Sequence, residues 1–175
     1  MLVAETINLI KNQNINPNVI DVCSGSGCIA IAISKELNTK VTALDISSSA
    51  INIGSHNAII NNASVVFYQK DISNCTFLNK YNVLISNPPY VSKDEEVDPR
   101  TKFEPSNAIY APDNGLYFYN FILKQSLNFL LPKNIIAFEI GATQSQLIIQ
   151  IAKKYYPKSN IILKQDLSGF DRYLF

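Results

Sequence analysis

A chain of 175 residues, 47% hydrophobic and 17% charged, is long and apolar enough for one globular domain with a sizeable core and too apolar for a disordered segment. Fifteen Lys and Arg against 14 Asp and Glu leave a net charge of +1, so no basic surface of the kind that tracks phosphates is expected, and direct nucleic-acid binding is disfavoured. Three cysteines without a CxxC pair and a single histidine, His56, fit reduced thiols in a cytoplasmic protein and argue against a zinc site, and no apolar run nears the ~20 residues that span a bilayer.

Residues 19 to 23 read as a buried strand entered from the turn pair Asn16-Pro17. Residues 27 to 37 follow as a helix apolar on most faces, and residues 41 to 45 as a second strand. Ser47 is the expected N-cap of a helix reaching Ile60, before the turn at Asn61-Asn62. Residues 65 to 68 and 83 to 86 give two more short strands. Between Pro88 and Asn114 lies a long irregular stretch, whose length suggests a substrate lid, with Lys93 to Glu96 as its solvated face. Leu116, Leu123, Leu127 and Leu130 mark a helix stopped by Pro132, and residues 135 to 140 a strand. Thr143-Gln144-Ser145-Gln146 fits a capping box, followed by Leu147, Ile148, Ile151 and Ala152 along one helical face. Residues 160 to 163 and 170 to 175 close the chain as strands with no helix between them, hence a hairpin with one antiparallel strand. Such alternation predicts an α/β fold: a mostly parallel sheet with helices on both faces, in a single domain over residues 1 to 175.

The first strand runs into Asp21-Val22-Cys23-Ser24-Gly25-Ser26-Gly27-Cys28. Glycines at 25 and 27 permit a tight turn and a close approach of ligand to backbone, and the following helix offers unpaired N–H groups. Asp45 closes the second strand 20 residues beyond Gly25, where an acid would take both hydroxyls of a ribose. A full GxGxxG fails, because Ile29 and Ala30 stand where the third glycine would be sought. The turn looks instead like the version that holds the methionine end of S-adenosylmethionine. An ordinary βα turn with a solvated Asp45 is the plain alternative. Asp71 adds a polar residue on the same edge, and Asp21, inside an apolar strand, is expected to bond backbone near the turn.

Asn87-Pro88-Pro89-Tyr90 follows the fourth strand and therefore belongs to the same edge as the glycine turn. Two prolines fix φ and remove two N–H donors, making a rigid bend with outward carbonyls. The Asn87 side-chain oxygen and the Pro88 carbonyl can then accept both hydrogens of a planar NH2 group, with Tyr90 stacking on its face. Holding those hydrogens turns a delocalised nitrogen lone pair towards a methyl donor. A proline-rich strand exit with a stacked tyrosine is the alternative.

On these residues the sequence resembles class I S-adenosylmethionine-dependent methyltransferases acting on amino nitrogens, and within them the release-factor glutamine methyltransferase family. DVCSGSGCIAIA, residues 21 to 32, is similar to the family's glycine motif, with Cys23 standing where glycine is usual. By that resemblance Cys23, Ser24, Gly25, Ser26 and Gly27 cradle the cofactor, Asp45 binds its ribose, Asp71-Ile72 lies beside the adenine, and Asn87 touches the cofactor as well. Asn87 to Tyr90 matches the catalytic tetrapeptide. Glu104-Pro105-Ser106-Asn107-Ala108 with Asp113-Asn114-Gly115-Leu116, then Phe138-Glu139-Ile140-Gly141, and Asp166 to Arg172 resemble further family segments. The substrate implied is the glutamine of the Gly-Gly-Gln motif in peptide chain release factors, methylated on its amide nitrogen. Asn87, Pro88, Tyr90 and Glu104 would form the substrate side, the Glu104 carboxylate bonding backbone N–H groups to order the loop. The family's N-terminal helical domain and its Arg-Pro-x-Thr segment have no counterpart here, so the chain reads as a catalytic domain alone. Two other functions compete: a methyltransferase for an amino group of a nucleic-acid base, and a non-catalytic module that only binds the cofactor. Elsewhere the expectations are plain. Cys23 is a small thiol in a glycine position, His56 is solvated, and Tyr117, Phe118, Tyr119 and Phe121 divide between core and surface.

Overall fold

The computed structural model describes residues 1–75, 77, 80–95, 97, 101 and 103–175, so Glu96 of the expected solvated loop face lies outside the described residues. Two compact units make up the chain: Met1–Asn87 with Asn128–Phe138 and Phe175, and Pro88–Leu127 with Glu139–Leu174.

The first unit contains α1 (Leu2–Asn12), β1 (Val19–Val22), α2 (Cys28–Leu37), β2 (Val41–Asp45), α3 (Ser48–Ile60), β3 (Val65–Gln69) and β4 (Tyr81–Ser86), and receives nearly all of β5 (Leu130–Glu139), which follows the second unit's helices in the chain. Its strands are all parallel, in the order β3-β2-β1-β4-β5. Val19, Ile20, Val41, Ala43, Val83, Leu84 and Ile85 are completely or almost completely buried. This is why β1 and β4 read as largely apolar without a polar-apolar alternation: a parallel sheet is covered on both faces. The register sets Val22 of β1 opposite Leu44 of β2 and Ser86 of β4, so three strands end at one level. The Ser86 hydroxyl donates to the Val22 carbonyl across that end.

Two departures from the sequence expectation have local causes. No element was assigned before residue 19, yet Leu2–Asn12 is helical. Its buried face is Leu2, Thr6, Ile7 and Ile10, and the Thr6 hydroxyl, donating to the Leu2 carbonyl, interrupts the apolar stripe. The helix expected to reach Leu130 and stop at Pro132 ends instead at Ser126, and Leu130 already opens β5 with Pro132 inside the strand. Leu130 pairs with Tyr81 and Ile135 with Val83, so residues 131–134 stand against Asn82 alone. In that bulge Pro132 owes the ladder no N–H, and the Asn134 amide closes the loop by donating to the Leu131 carbonyl at 2.7 Å.

In the second unit, the stretch expected to be irregular carries a helical turn, α4 (Ser106–Ile109), and a 3-10 turn at Asp113–Gly115. A short parallel bridge joins Val91 to Tyr110, with the Ala111 N–H donating to the Val91 carbonyl at 2.9 Å. Then come α5 (Tyr117–Ser126), α6 (Ser145–Tyr155) and an antiparallel hairpin of β6 (Leu163–Gln165) and β7 (Asp171–Leu174). The expected capping box does not form. Gln144 is the N-cap of α6 and makes no side-chain cap bond. Ile148 and Ala152 are buried as expected, whereas Leu147 is 48% exposed. The strand expected at residues 160–163 begins only at Leu163, the first residue paired with β7. Tyr119 is fully buried while Tyr117 is exposed, the division expected of that aromatic run. The fold class is α/β, mostly parallel with an antiparallel C-terminal hairpin, as the alternation of patterns predicted. Among the described residues no helix is long and apolar enough to cross a membrane.

Phe67 of β3 packs where α2 and α3 present glycines. A Cβ on Gly54 would stand 2.5 Å from the ring, and one on Gly27 2.7 Å from its far edge. Gly54→Ala should therefore destabilise the protein by about 1–3 kcal/mol in urea unfolding, because the hemmed ring outweighs the ~1 kcal/mol that alanine gains in helix propensity. A more stable variant would show that the ring moves aside freely.

Candidate functional site

At the end of β1 the backbone turns through three left-handed residues: Cys23 (φ 60°), Gly25 (φ 53°) and Gly27 (φ 81°). Glycine takes this region freely, whereas a side chain there costs about 1–2 kcal/mol. Cys23 bears that strain and explains geometrically why glycine is the easier choice at its position. The turn is fastened to β2 and α3. The Ser24 N–H donates to the Leu44 carbonyl at 2.9 Å, the Gly25 N–H to Asp45 Oδ2 at 2.8 Å, and the Asn57 side-chain amide to the Ser26 carbonyl at 3.0 Å. Sequence reasoning missed Asn57, since an asparagine in the middle of a helix carries no pattern.

Asp45 is more than a strand-end acid. Its second oxygen accepts the Ser47 N–H at 2.9 Å, and its own carbonyl accepts the Lys70 N–H at 2.9 Å. One residue thus ties the glycine turn and the entry of α3 through its carboxylate, and the exit of β3 through its main-chain carbonyl. Each oxygen keeps a further lone pair for a ligand hydroxyl. Asp71 N-caps the short turn at Ile72–Asn74 by accepting the Ser73 N–H at 2.8 Å, and Ile72 is buried beside it.

The glycine turn also leaves one buried polar atom unsatisfied among the described residues. Ser24 is buried, and its hydroxyl oxygen has no hydrogen-bond partner among the described residues. A buried orphan hydroxyl is costly unless something else meets it. A Cβ at Gly25 would touch nothing within 4 Å, so the backbone there faces open space. Asp21 is fully buried and accepts the Ala30 N–H at 3.1 Å, the backbone bond near the turn that was expected. Burial pushes its carboxyl up to about 8, although the Ala30 bond pulls the other way and nearby Asp45 adds a smaller push. Burial, followed by the Asp45 and Asp21 carboxylates, pushes the Cys23 thiol up to about 12, so Cys23 is an unreactive neutral thiol.

Asn87 directly follows β4, one residue beyond the Val22–Ser86 pair, and so shares the rim of the glycine turn within the first unit. Its side chain is exposed and engages no partner among the described residues. Pro88, Pro89 and Tyr90 belong to the second unit, the prolines buried and Tyr90 half-buried. There the Tyr90 hydroxyl stands 3.5 Å from Glu139 Oε1. Burial pushes both the Tyr90 phenol and the Glu139 carboxyl up, and the charge on Glu139 adds to the shift of Tyr90. Arg172 pairs with Asp166 at 3.2 Å and donates to the Ile140 carbonyl at 3.2 Å, so the segment from Asp166 to Arg172 fastens the chain just after β5. Glu104 is exposed, and among the described residues its carboxylate bonds no backbone N–H group. Its own N–H donates to the Thr101 carbonyl at 2.9 Å.

A mostly parallel α/β sheet with a glycine turn after β1, a carboxylate closing β2 and an exposed asparagine after β4 has the build of a class I methyltransferase. The model of the Methyltransferase small domain family matches residues 4–103, and the chain belongs to that family. It is 34% identical over 168 residues to the release factor glutamine methyltransferase of Lactococcus lactis, covering 94% of this chain and 62% of the relative. With the enzyme of the same name from Enterococcus faecalis it shares 35% over 169 residues, covering 94% and 61%. The chain thus spans less than two thirds of the length of these curated relatives, which carry the family name its motifs resemble. Among solved structures, the ribosomal protein L11 methylase of Lactobacillus delbrueckii subsp. bulgaricus aligns with a TM-score of 0.69 at 18% identity, over 99% of this chain and 74% of that one, which shows the shared fold.

The buried Asp21 carboxyl leaves a signature in stability. Its pKa lies near 3.8 unfolded and about 8 folded, so the folded state holds the extra proton between those values. Its contribution to stability is complete below pH 3.8 and is lost as pH rises to about 8. Asp21→Asn, which keeps an oxygen for the Ala30 N–H, should flatten that decline in urea unfolding measured from pH 4 to 9. An unchanged slope would show that Asp21 is ionised in the fold.

Proposed function

We propose that this chain binds S-adenosylmethionine on the rim formed by the glycine turn and Asp45. The methyl goes to the side-chain amide nitrogen of the glutamine in the Gly-Gly-Gln motif of a peptide chain release factor, in the cytoplasm. The observation that carries the reading is the register at the strand ends. Val22 lies opposite Ser86, so the turn at 23–27 and the Asn87 side chain leave adjacent parallel strands at the same height. Adjacent strands lie about 5 Å apart, a separation that one small molecule bridges. The relatives' shared name supports the choice of substrate.

The rim suits the cofactor chemically. Open backbone at Gly25 and the orphan Ser24 hydroxyl suit the polar methionine end, the Asp45 carboxylate suits a ribose diol, and Asp71 with buried Ile72 suits an adenine. When bound, S-adenosylmethionine supplies an electrophilic sulfonium methyl. Asn87 Oδ1 and the carbonyl of the adjoining Pro88 accept the two hydrogens of the glutamine amide, and the Tyr90 ring stacks on its plane. That grip turns the nitrogen lone pair out of conjugation and aims it. The nitrogen becomes acidic as its new bond forms, so its proton can leave to water and no strong base is required. The uncharged Cys23 thiol fits a structural role beside this chemistry.

Incubation with labelled S-adenosylmethionine and a release factor, followed by peptide mass spectrometry, should place one methyl on the Gly-Gly-Gln glutamine. Asn87→Ala should lower the transfer rate about 10²-fold or more while cofactor affinity holds. Asp45→Ala should weaken cofactor binding by roughly 10-fold or more, since a charge-assisted hydrogen bond is lost. Label in nucleic acid but not in the factor, or equal loss of binding and transfer in Asn87→Ala, would contradict the assignment.

A further inference from the structure

Three segments of the second unit that the sequence marked separately meet at one side chain. Gln144 is 7% exposed. Its Nε2 donates to the Tyr90 carbonyl at 2.8 Å and to the Asn114 carbonyl at 3.1 Å, while its Oε1 accepts the Gly141 N–H at 3.2 Å. Those partners fix the orientation of the amide, since two carbonyls only accept and one N–H only donates. Every hydrogen of the side-chain amide is used, and all three bonds go to backbone.

Two glycines make the room. A Cβ on Gly115, which has φ +83°, would lie 1.9 Å from the Tyr90 carbonyl oxygen and 2.4 Å from Gln144 Nε2. A Cβ on Gly141 would lie 2.7 Å from Gln144 Oε1. The glycine in Asp113-Asn114-Gly115-Leu116 is therefore demanded by close packing against the residue that ends Asn87-Pro88-Pro89-Tyr90, and the glycine after Glu139-Ile140 by the side chain that joins the two.

We infer that Gln144 is a positioning residue for methyl transfer, a clamp that holds the Tyr90 carbonyl and thereby sets how the Pro88-Pro89-Tyr90 bend leaves its last residue. This rests on the proposed reading of the tetrapeptide as the amide-holding element. The two prolines have fixed φ, so little freedom remains in the bend once its exit carbonyl is held. No other residue type does the same work as economically. Glutamate keeps the bond from Gly141 but sets an oxygen against two carbonyls, and leucine leaves both carbonyls and the N–H unsatisfied.

Gln144→Glu and Gln144→Leu would be compared with the unaltered chain in transfer rate, S-adenosylmethionine affinity and amide hydrogen exchange. The clamp requires that kcat fall roughly 10- to 100-fold in Gln144→Leu, the usual effect of a small misplacement near the reacting group, with cofactor affinity unchanged. Exchange at residues 90–92 and 114–116 should speed up together, by up to about tenfold for the loss of a net hydrogen bond, while residues 24–27 exchange as before. Gln144→Glu should regain part of its rate as pH falls and the carboxylic acid recovers one donor, a response that packing alone does not produce. An unchanged kcat, exchange that rises at 114–116 but not at 90–92, or a uniform rise in every segment would overturn the clamp. If the unaltered chain transfers no methyl to glutamine, the proposed function fails by itself, and the paired exchange at 90–92 and 114–116 still decides whether Gln144 joins those segments.

Discussion

The level ending of β1, β2 and β4 is the constraint on which the remainder depends. Parallel pairing sets Val22 beside Leu44 on one side and Ser86 on the other. Parallel strands are joined by crossovers, so every exit loop after these strands opens on the same rim. Each exit then carries a different chemical task. Cys23–Gly27 presents open backbone, Asp45 a carboxylate with both oxygens anchored, and Asn87 an exposed amide. None of these residues needs a special fold of its own, because the sheet register brings them together.

That rim is also where the structure departs from what stability alone would select. A cysteine holds a left-handed φ, a serine hydroxyl is buried without a partner among the described residues, and a carboxyl is buried deeply enough to keep its proton near neutral pH. Three such features within four residues, 21 to 24, are costly, and proteins concentrate costs of this kind where a ligand is held. The apolar strands behind them and the tight contact of Phe67 with Gly27 and Gly54 supply the rigidity that keeps the strained turn in place. In the second unit, Gln144 and Gly115 hold the Tyr90 backbone with hydrogen bonds and close contact.

Much of this was legible in the sequence because buried parallel strands write themselves as short β-branched runs. β2 was located to the residue, and Ser47 indeed caps α3, accepting the Ala50 N–H at 3.2 Å. Gly25 with Asp45, and the tetrapeptide at 87–90, stand out because glycine and proline constrain backbone directly. What stayed hidden lies in local irregularities or in contacts distant in the chain. Pro132 reads as a helix stop, yet a bulge in β5 absorbs it. Gln144 fits a capping box by its neighbours, but its amide is drawn away to carbonyls 54 and 30 residues distant. α1 escaped notice because a buried threonine broke its stripe, and the Asn57 bond to the turn follows from helix placement that no local pattern encodes.

Backbone amide chemical shifts, followed as S-adenosylhomocysteine is titrated into the protein, test the shared rim most directly. Large perturbations are expected together at residues 23–27, around Asp45, at Asp71 and Ile72, and at Asn87, with α6 and the C-terminal hairpin left largely unmoved. Saturable binding that shifts the glycine turn while leaving Asn87 untouched, or that centres anywhere else in the chain, would contradict the proposed common seat for the cofactor and Asn87.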